Sequence, residues 1–156
     1  WMRDHLFQFP TSPVRELADL GRAGYSIAAV VDEDLPAETF GDAVAYWRAN
    51  GRETLTIASE YRNIADQFAR EQHLGRYRIV PIAGASEGFV PADAEVLIEG
   101  TETGTTLRAN RLRMIEKMFY STSCLIGRAT PPEGPERALY DDLVARLART
   151  AVTASA

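Results

Sequence analysis

Cysteine and histidine are scarce in this chain, which has one cysteine and two histidines among its 156 residues. A single cysteine excludes an internal disulfide and is typical of a reducing compartment, so we expect a cytoplasmic protein. Cys124 lies in an apolar run with no histidine nearby, and we interpret it as a buried, unreactive thiol. His5, His73 and Cys124 stand far apart in the sequence, so they offer no metal-ligand spacing and we predict no metal site.

Excess positive charge and long apolar runs are also missing. The chain has 17 Lys and Arg against 22 Asp and Glu, which gives a formal net charge of −5. The arginines are scattered among acidic residues, and this argues against nucleic acid as a partner. No apolar run approaches the roughly 18 residues of a membrane-spanning helix. No basic segment followed by an apolar one suggests a signal peptide, so we expect no membrane partner.

What the sequence does contain is an alternation of strand and helix patterns. Such alternation predicts an α/β domain with a largely parallel sheet and covering helices. The predicted strands are 14–20 (or a helical turn), 25–31, 54–58, 77–83, 95–98 and one long or bent strand over 113–127. The predicted helices are 2–9, 37–50, 61–73 and 136–150.

Local signals refine this outline. Pro81 predicts an edge position for its strand, and Ser59 can cap the helix that follows it. We divide the chain into an α/β domain at 14–128, a partial element at 1–13, and a proline-rich linker with an amphipathic helix at 129–156. Residues 151–156 are expected to fray.

A loop rich in Gly and Thr follows the strand pattern that ends at Glu99. Backbone N–H groups and hydroxyls in such a loop can surround a phosphate, although a polar turn without a ligand has the same composition. Glu99 can accept hydrogen bonds from sugar hydroxyls or remain a solvated carboxylate. The segments 59–61, 84–87 and 100–106 all follow predicted strands, where ligands of parallel sheets collect. Three converging loops would form a site.

The loop resembles the phosphoribosyl-diphosphate loop of the ATP phosphoribosyltransferase family, which begins histidine biosynthesis. That family reads roughly Ala-Asp-Ala, then Asp-Leu-Val-x-Thr-Gly-x-Thr-Leu-x-x-Asn-Gly-Leu. The same order appears here as Ala92-Asp93-Ala94, Glu99, Thr103-Gly104-Thr105-Thr106-Leu107 and Asn110-Arg111-Leu112. Three substitutions stand out: Glu99 for the usual Asp, Arg111 for the usual Gly, and Glu60 for the usual Lys of a preceding motif.

The resemblance extends over about 14–147 and implies a fold. The family has two α/β domains arranged as in type II periplasmic binding proteins, with the site in the cleft. The Pro-Lys-Gly-Arg-type segment that opens its first domain has no counterpart here. The resemblance therefore implies a lobe of that type, namely the second domain together with the return elements of the first.

The resemblance also implies a function. N1 of ATP would displace pyrophosphate from phosphoribosyl diphosphate, with Mg²⁺ carried on the diphosphate. Glu99 would act at the ribose, and the further substrate-binding residues would be Thr103, Gly104, Thr105, Thr106, Glu102, Ser86 and Glu87. For Arg108 we favour a surface role over a phosphate contact. The alternative is a non-catalytic module that binds a phosphorylated metabolite or regulates a partner, and a homo-oligomer or partner chain is compatible with either.

Overall fold

A computed structural model describes residues 1–152 of the chain. The chain divides into two compact units, a larger one at Tyr25–Tyr120 and a smaller one made of Trp1–Gly24 and Ser121–Ala156. The predicted domain at 14–128 thus contains the whole larger unit and part of the smaller one.

Seven strands and five α-helices occur in the described residues. The strands are β1 (Val14–Asp19), β2 (Tyr25–Asp32), β3 (Leu55–Ser59), β4 (Tyr77–Pro81), β5 (Val96–Thr101), β6 (Leu112–Ser121) and β7 (Cys124–Arg128). The helices are α1 (Met2–Gln8), α2 (Phe40–Ala49), α3 (Arg62–Glu71), α4 (Thr105–Ala109) and α5 (Pro135–Val152), and a 3-10 turn spans Ser86–Phe89.

A five-stranded sheet with the order β4-β3-β5-β2-β6 forms the centre of the larger unit. Strand β3 runs parallel to both of its neighbours, β4 and β5. Strand β2 runs antiparallel to β5, so the sheet is mixed. The predicted α/β lobe with flanking helices is confirmed, and so is the edge position of β4.

The core of the larger unit lies on both faces of this sheet, because neighbouring side chains of a strand point to opposite faces. On one face, Phe40 of α2 packs edge-on against Phe68 of α3 with ring centroids 4.8 Å apart, next to Ile27 of β2. On the other face, Val30 of β2 packs with Leu107 of α4. Leu107 thereby anchors the segment that follows the Gly/Thr loop.

Helix α2 begins three residues later than predicted because Thr39 and Asp42 form a capping box. The backbone N–H of Asp42 donates to Thr39 Oγ1 over 3.1 Å, and the backbone N–H of Thr39 donates to Asp42 Oδ2 over 3.0 Å. These bonds satisfy amide groups at the helix start and fix its first residue at Phe40.

The single strand predicted over 113–127 is wrong, because the chain turns between β6 and β7. Thr122 Oγ1 donates to Asp19 over 2.6 Å, and the backbone N–H of Ser123 donates to Arg22 over 2.9 Å. After this turn β7 pairs antiparallel with β1 within the smaller unit. Cys124, the first residue of β7, is half-buried, and its burial, with Glu16 nearby, raises the pKa of the thiol.

The predicted C-terminal helix is present as α5, with Pro135 as its first residue, a position that suits proline. The helix includes residues 151 and 152 of the predicted frayed tail, and residues 153–156 lie outside the described part. The predicted leucine stripe faces solvent: Leu139, Leu143 and Leu147 are 71%, 54% and 39% exposed. No helix in the described part of the chain is long and apolar enough to cross a membrane.

Candidate functional site

A cavity of about 420 Å³ opens where β3, β4 and β5 end. These three strands are parallel, so their carboxyl ends lie at the same edge of the sheet. Its lining residues are Glu60, Ala85, Ser86, Glu87, Glu99, Gly100, Thr101, Glu102, Thr103, Thr105, Thr106 and Leu107. The loops at 59–61, 84–87 and 100–106 all contribute to this lining, so they converge here.

The structure brings nearly all of the predicted site residues into this lining. Glu99, Glu102, Thr103, Thr105, Thr106, Ser86 and Glu87 all border the cavity. Gly104 belongs to the same loop but is not itself a lining residue. The location of these residues agrees with the sequence analysis, and their individual roles stay predictions.

The Gly/Thr loop holds its shape through its own hydroxyl groups. Gly104 has φ +68°, in the left-handed region that glycine tolerates, and its N–H donates to Thr101 Oγ1 over 2.9 Å. The hydroxyls of Thr103 and Thr105 are hydrogen-bonded to each other over 2.9 Å. Helix α4 starts at Thr105, and the first N–H groups of a helix have no partner within it. The loop therefore offers hydroxyls and amides close to the cavity.

Arg108 lies over this loop. One of its guanidinium nitrogens donates to the carbonyl oxygen of Thr103 and another to Thr105 Oγ1, both over 3.3 Å. A Cβ atom added at Gly104 would lie 3.3 Å from Arg108 Nη1. Glycine at this position thus leaves room for the guanidinium beside the backbone.

Ser59 connects the ends of β3 and β5 below the cavity. Its side chain is fully buried and donates to the carbonyl oxygen of Ile98 over 2.8 Å. It also accepts a 2.9 Å bond from the backbone N–H of Tyr61. The N-cap residue of α3 is Tyr61, so the prediction that Ser59 caps this helix is wrong. Sequence reasoning missed the bond to β5, because a strand-end serine carries no sign of its cross-strand partner.

Glu60 joins two of the loops that border the cavity. Its carboxylate accepts a 2.9 Å hydrogen bond from the backbone N–H of Gly84. The next residue, Ala85, has φ +47°, a conformation that costs energy for a residue with a side chain. The Glu60 bond helps to hold the 84–87 loop in this shape.

Two tyrosines support the strand end that carries Glu99. Tyr61 is only 6% exposed, and this burial is the main cause that raises the pKa of its hydroxyl. Tyr25, which shares a side-chain hydrogen bond with Tyr61, and Glu99 raise the pKa further. The ring of Tyr25 packs on Gly100, where an added Cβ would lie 2.7 Å from the ring. Sequence reasoning missed this pair; a glycine within β5 was the available signal of close packing.

Negative charge dominates the cavity lining. Four carboxylates border it, from Glu60, Glu87, Glu99 and Glu102, whereas no lining residue carries positive charge. Within residues 1–152, no group of three or more His, Cys, Asp or Glu residues is arranged to hold a metal ion. Carboxylates at such an edge can accept bonds from hydroxyl groups, and an anion here needs a counter-charge.

The chain is similar to proteins of one known family. The model of the HisG family, ATP phosphoribosyltransferase, matches residues 2–149. The ATP phosphoribosyltransferase of Rhizobium etli (strain CFN 42) is 37% identical over 117 residues, which are 67% of this chain and 50% of that protein. The Agrobacterium fabrum enzyme is 33% identical over 138 residues, 81% of this chain and 59% of that protein. This chain thus spans about half the length of the curated relatives it matches.

Solved structures agree with the fold. The chain superimposes on an ATP phosphoribosyl transferase (HisG:HisZ) complex from Thermotoga maritima with a TM-score of 0.72 at 16% sequence identity. The superposition covers 96% of this chain and 67% of the matched chain. A TctC solute-binding protein from Polaromonas has a TM-score of 0.51 at 13% identity, over 86% of this chain and 58% of that one. Both share the α/β fold. On the strength of the family match over 2–149, this chain belongs to the ATP phosphoribosyltransferase (HisG) family.

Proposed function

We propose that this chain binds phosphoribosyl diphosphate in the cavity at the ends of β3, β4 and β5 and serves its transfer to N1 of ATP. The observation that carries the proposal is that Glu99 lines the same cavity as Thr103, Thr105 and Thr106. A ribose phosphate needs acceptors for its sugar hydroxyls and, a few ångströms away, donors for its phosphate. This cavity offers both.

Each predicted site residue then has a task. Thr103, Thr105 and Thr106 supply hydroxyls to the 5′-phosphate, and Gly104 lets the backbone approach it. Glu99 accepts bonds from the ribose hydroxyls and stabilises positive charge on the ribose as the bond to pyrophosphate breaks. Such catalysis depends on positioning and electrostatics and needs no covalent nucleophile.

The remaining predicted residues, Ser86, Glu87 and Glu102, line the same cavity, and in the proposal they contact the diphosphate. Mg²⁺ is commonly held by one or two carboxylates together with substrate phosphates. The carboxylates of Glu87 and Glu102 in the cavity lining fit that pattern. Bound Mg²⁺ would neutralise the charge of the departing diphosphate.

The ATP side of the reaction is assigned to residues outside this cavity. This chain spans about half the length of its curated relatives, and the Thermotoga structure contains HisG together with HisZ. We propose that residues beyond this cavity, whether in this protein, in another copy or in a partner chain, complete the site. The cytoplasmic location stays a prediction.

The second candidate is a module that binds the same ligand without turnover. Glu60 favours it, because it places a carboxylate in the lining where the sequence resemblance expects a lysine. A carboxylate beside the departing diphosphate opposes the negative charge that develops there during transfer, a cost that binding without turnover avoids.

A turnover assay separates the two candidates. Phosphoribosyl diphosphate, Mg²⁺ and ATP are mixed with the chain, alone and with candidate partners, and pyrophosphate release is measured. Transfer requires release that depends on ATP and is lost in Glu99→Gln. Binding of phosphoribosyl diphosphate without release under any of these conditions would support the module instead.

A further inference from the structure

We infer that Arg108 is a specificity-determining residue that provides the positive charge for the 5′-phosphate in this cavity. The inference rests on the proposed function, because it concerns the same ligand. From the sequence alone, a surface role for Arg108 was favoured over a phosphate contact. Three observations carry it: the position of the guanidinium, the charge of the cavity lining, and the partners of the other arginines.

The position of Arg108 is the first observation. Its guanidinium contacts Thr103 and Thr105, and both of these threonines line the cavity. The two bonds measure 3.3 Å each, at the long end of the hydrogen-bond range, so they are weak. The side chain is exposed. A stronger acceptor can therefore attract the guanidinium without the loss of a strong contact.

The lining charge is the second observation. Four carboxylates and no cationic side chain border the cavity, and a phosphate among them is repelled unless a cation is close. A guanidinium presents a planar set of N–H donors that binds phosphate through two parallel bonds. Arg108 is already in contact with the loop proposed to hold that phosphate.

Three other arginines of the larger unit supply the third observation. Arg111 pairs with Glu33 and Asp34, and Arg52 pairs with Glu95. Arg48 donates to several backbone carbonyls, including those of Leu74 and Arg76. Like Arg48, Arg108 forms no ion pair within the described part of the chain, but its two bonds measure 3.3 Å, whereas the Arg48 bonds to Leu74 and Arg76 measure 2.7 and 3.0 Å. Its charge has no carboxylate in direct contact there.

This arrangement predicts which end of the ligand Arg108 recognises. The guanidinium lies at Thr103 and Thr105, the residues proposed for the 5′-phosphate, and not at the 84–87 loop. Loss of Arg108 should weaken the binding of ribose 5-phosphate and of phosphoribosyl diphosphate, and should leave the binding of inorganic pyrophosphate unchanged. The diphosphate end would depend on Mg²⁺ instead.

The test is calorimetric titration of these three ligands, with Mg²⁺ present, into the unmodified chain and three variants. Arg108→Gln removes the charge, Arg108→Lys keeps the charge without the planar donor set, and Arg76→Gln is the matched control. Arg76 is exposed, pairs with Glu53 and precedes β4, at the opposite edge of the sheet from the cavity. Circular dichroism and urea unfolding confirm that each variant is folded.

We expect Arg108→Gln to weaken ribose 5-phosphate at least about tenfold, the effect of losing a hydrogen bond to a charged group. Arg108→Lys should retain part of the affinity, and Arg76→Gln should match the unmodified chain. Equal affinity in Arg108→Gln, or an equal loss in Arg76→Gln or for pyrophosphate, overturns the role of Arg108 while the proposed function stands. Failure of the unmodified chain to bind phosphoribosyl diphosphate overturns the proposed function itself.

Discussion

The carboxylate of Glu60 and the backbone N–H of Gly84 form a 2.9 Å hydrogen bond between two loops of the cavity. Glu60 follows β3 directly, and Gly84 lies beyond β4. The bond therefore connects segments that are 24 residues apart and fixes the distance between them. A hydrogen bond from a backbone amide to a charged acceptor is stronger than one to a neutral acceptor.

Removing this bond should loosen the 84–87 loop without unfolding the chain. We expect Glu60→Ala to raise the hydrogen-exchange rate of the Gly84 amide and Glu60→Gln to raise it less, because glutamine retains an oxygen acceptor. Amide exchange measured by NMR checks both. Unchanged protection of Gly84 in Glu60→Ala would show that the bond does not hold the loop.

Ser59 is expected to matter more for stability than its size suggests. Ser59→Ala leaves the Tyr61 N–H and the Ile98 carbonyl without their side-chain partner in a fully buried place. The expected loss is about 1–3 kcal/mol in the free energy of unfolding. Urea denaturation measures it, and Ser26→Ala, in β2, is a control for a serine-to-alanine change within the same sheet. Equal stability of Ser59→Ala and the unmodified chain would contradict this role.

Arg111 occupies a left-handed backbone position, with φ +56°, where the sequence resemblance expects glycine. Its guanidinium pairs with Glu33 and Asp34, and these pairs offset part of the strain. Arg111→Ala removes the pairs and keeps the strain, whereas Arg111→Gly removes both. We therefore expect thermal unfolding to give a higher Tm for Arg111→Gly than for Arg111→Ala. The reverse order would mean that the backbone strain is negligible.

Tyr61 should make the protein less stable at alkaline pH. Burial, Tyr25 and Glu99 raise its pKa in the folded chain, whereas an unfolded tyrosine titrates near about pH 10. The unfolded state therefore loses its proton first, so the stabilising contribution is complete below about pH 10 and is lost as the pH rises further. Tyr61→Phe should flatten this decline. Denaturant midpoints from pH 8 to 11 provide the measurement, with Tyr120→Phe, an exposed tyrosine, as the control.

Part of this structure follows directly from the sequence. The continuous apolar run of β2 predicts a strand buried on both faces, and Pro81 predicts an edge strand. The Thr103–Thr106 pattern indicates the loop, because glycine and hydroxyl residues at that spacing suit a turn with a left-handed residue. Each of these features depends only on residues that are close together in the sequence.

Other features depend on partners that are distant in the sequence. Nothing in β2 indicates that it runs antiparallel to β5. The turn after Ser121 depends on contacts with Asp19 and Arg22 about a hundred residues earlier. The leucine stripe of α5 is exposed, with Leu139 71% exposed. The apolar periodicity therefore predicts which residues share a helix face, but not whether other described residues cover that face.

The most direct test of the account is calorimetric titration of phosphoribosyl diphosphate, with Mg²⁺, into the unmodified chain and into Gly104→Trp. Gly104 is in the left-handed region, and a large side chain there should distort the loop and block the cavity. The account predicts micromolar binding that is lost in the variant, with the fold unchanged by circular dichroism. Absence of binding at millimolar ligand, or equal binding by both proteins, would contradict the assignment of this cavity to phosphoribosyl diphosphate.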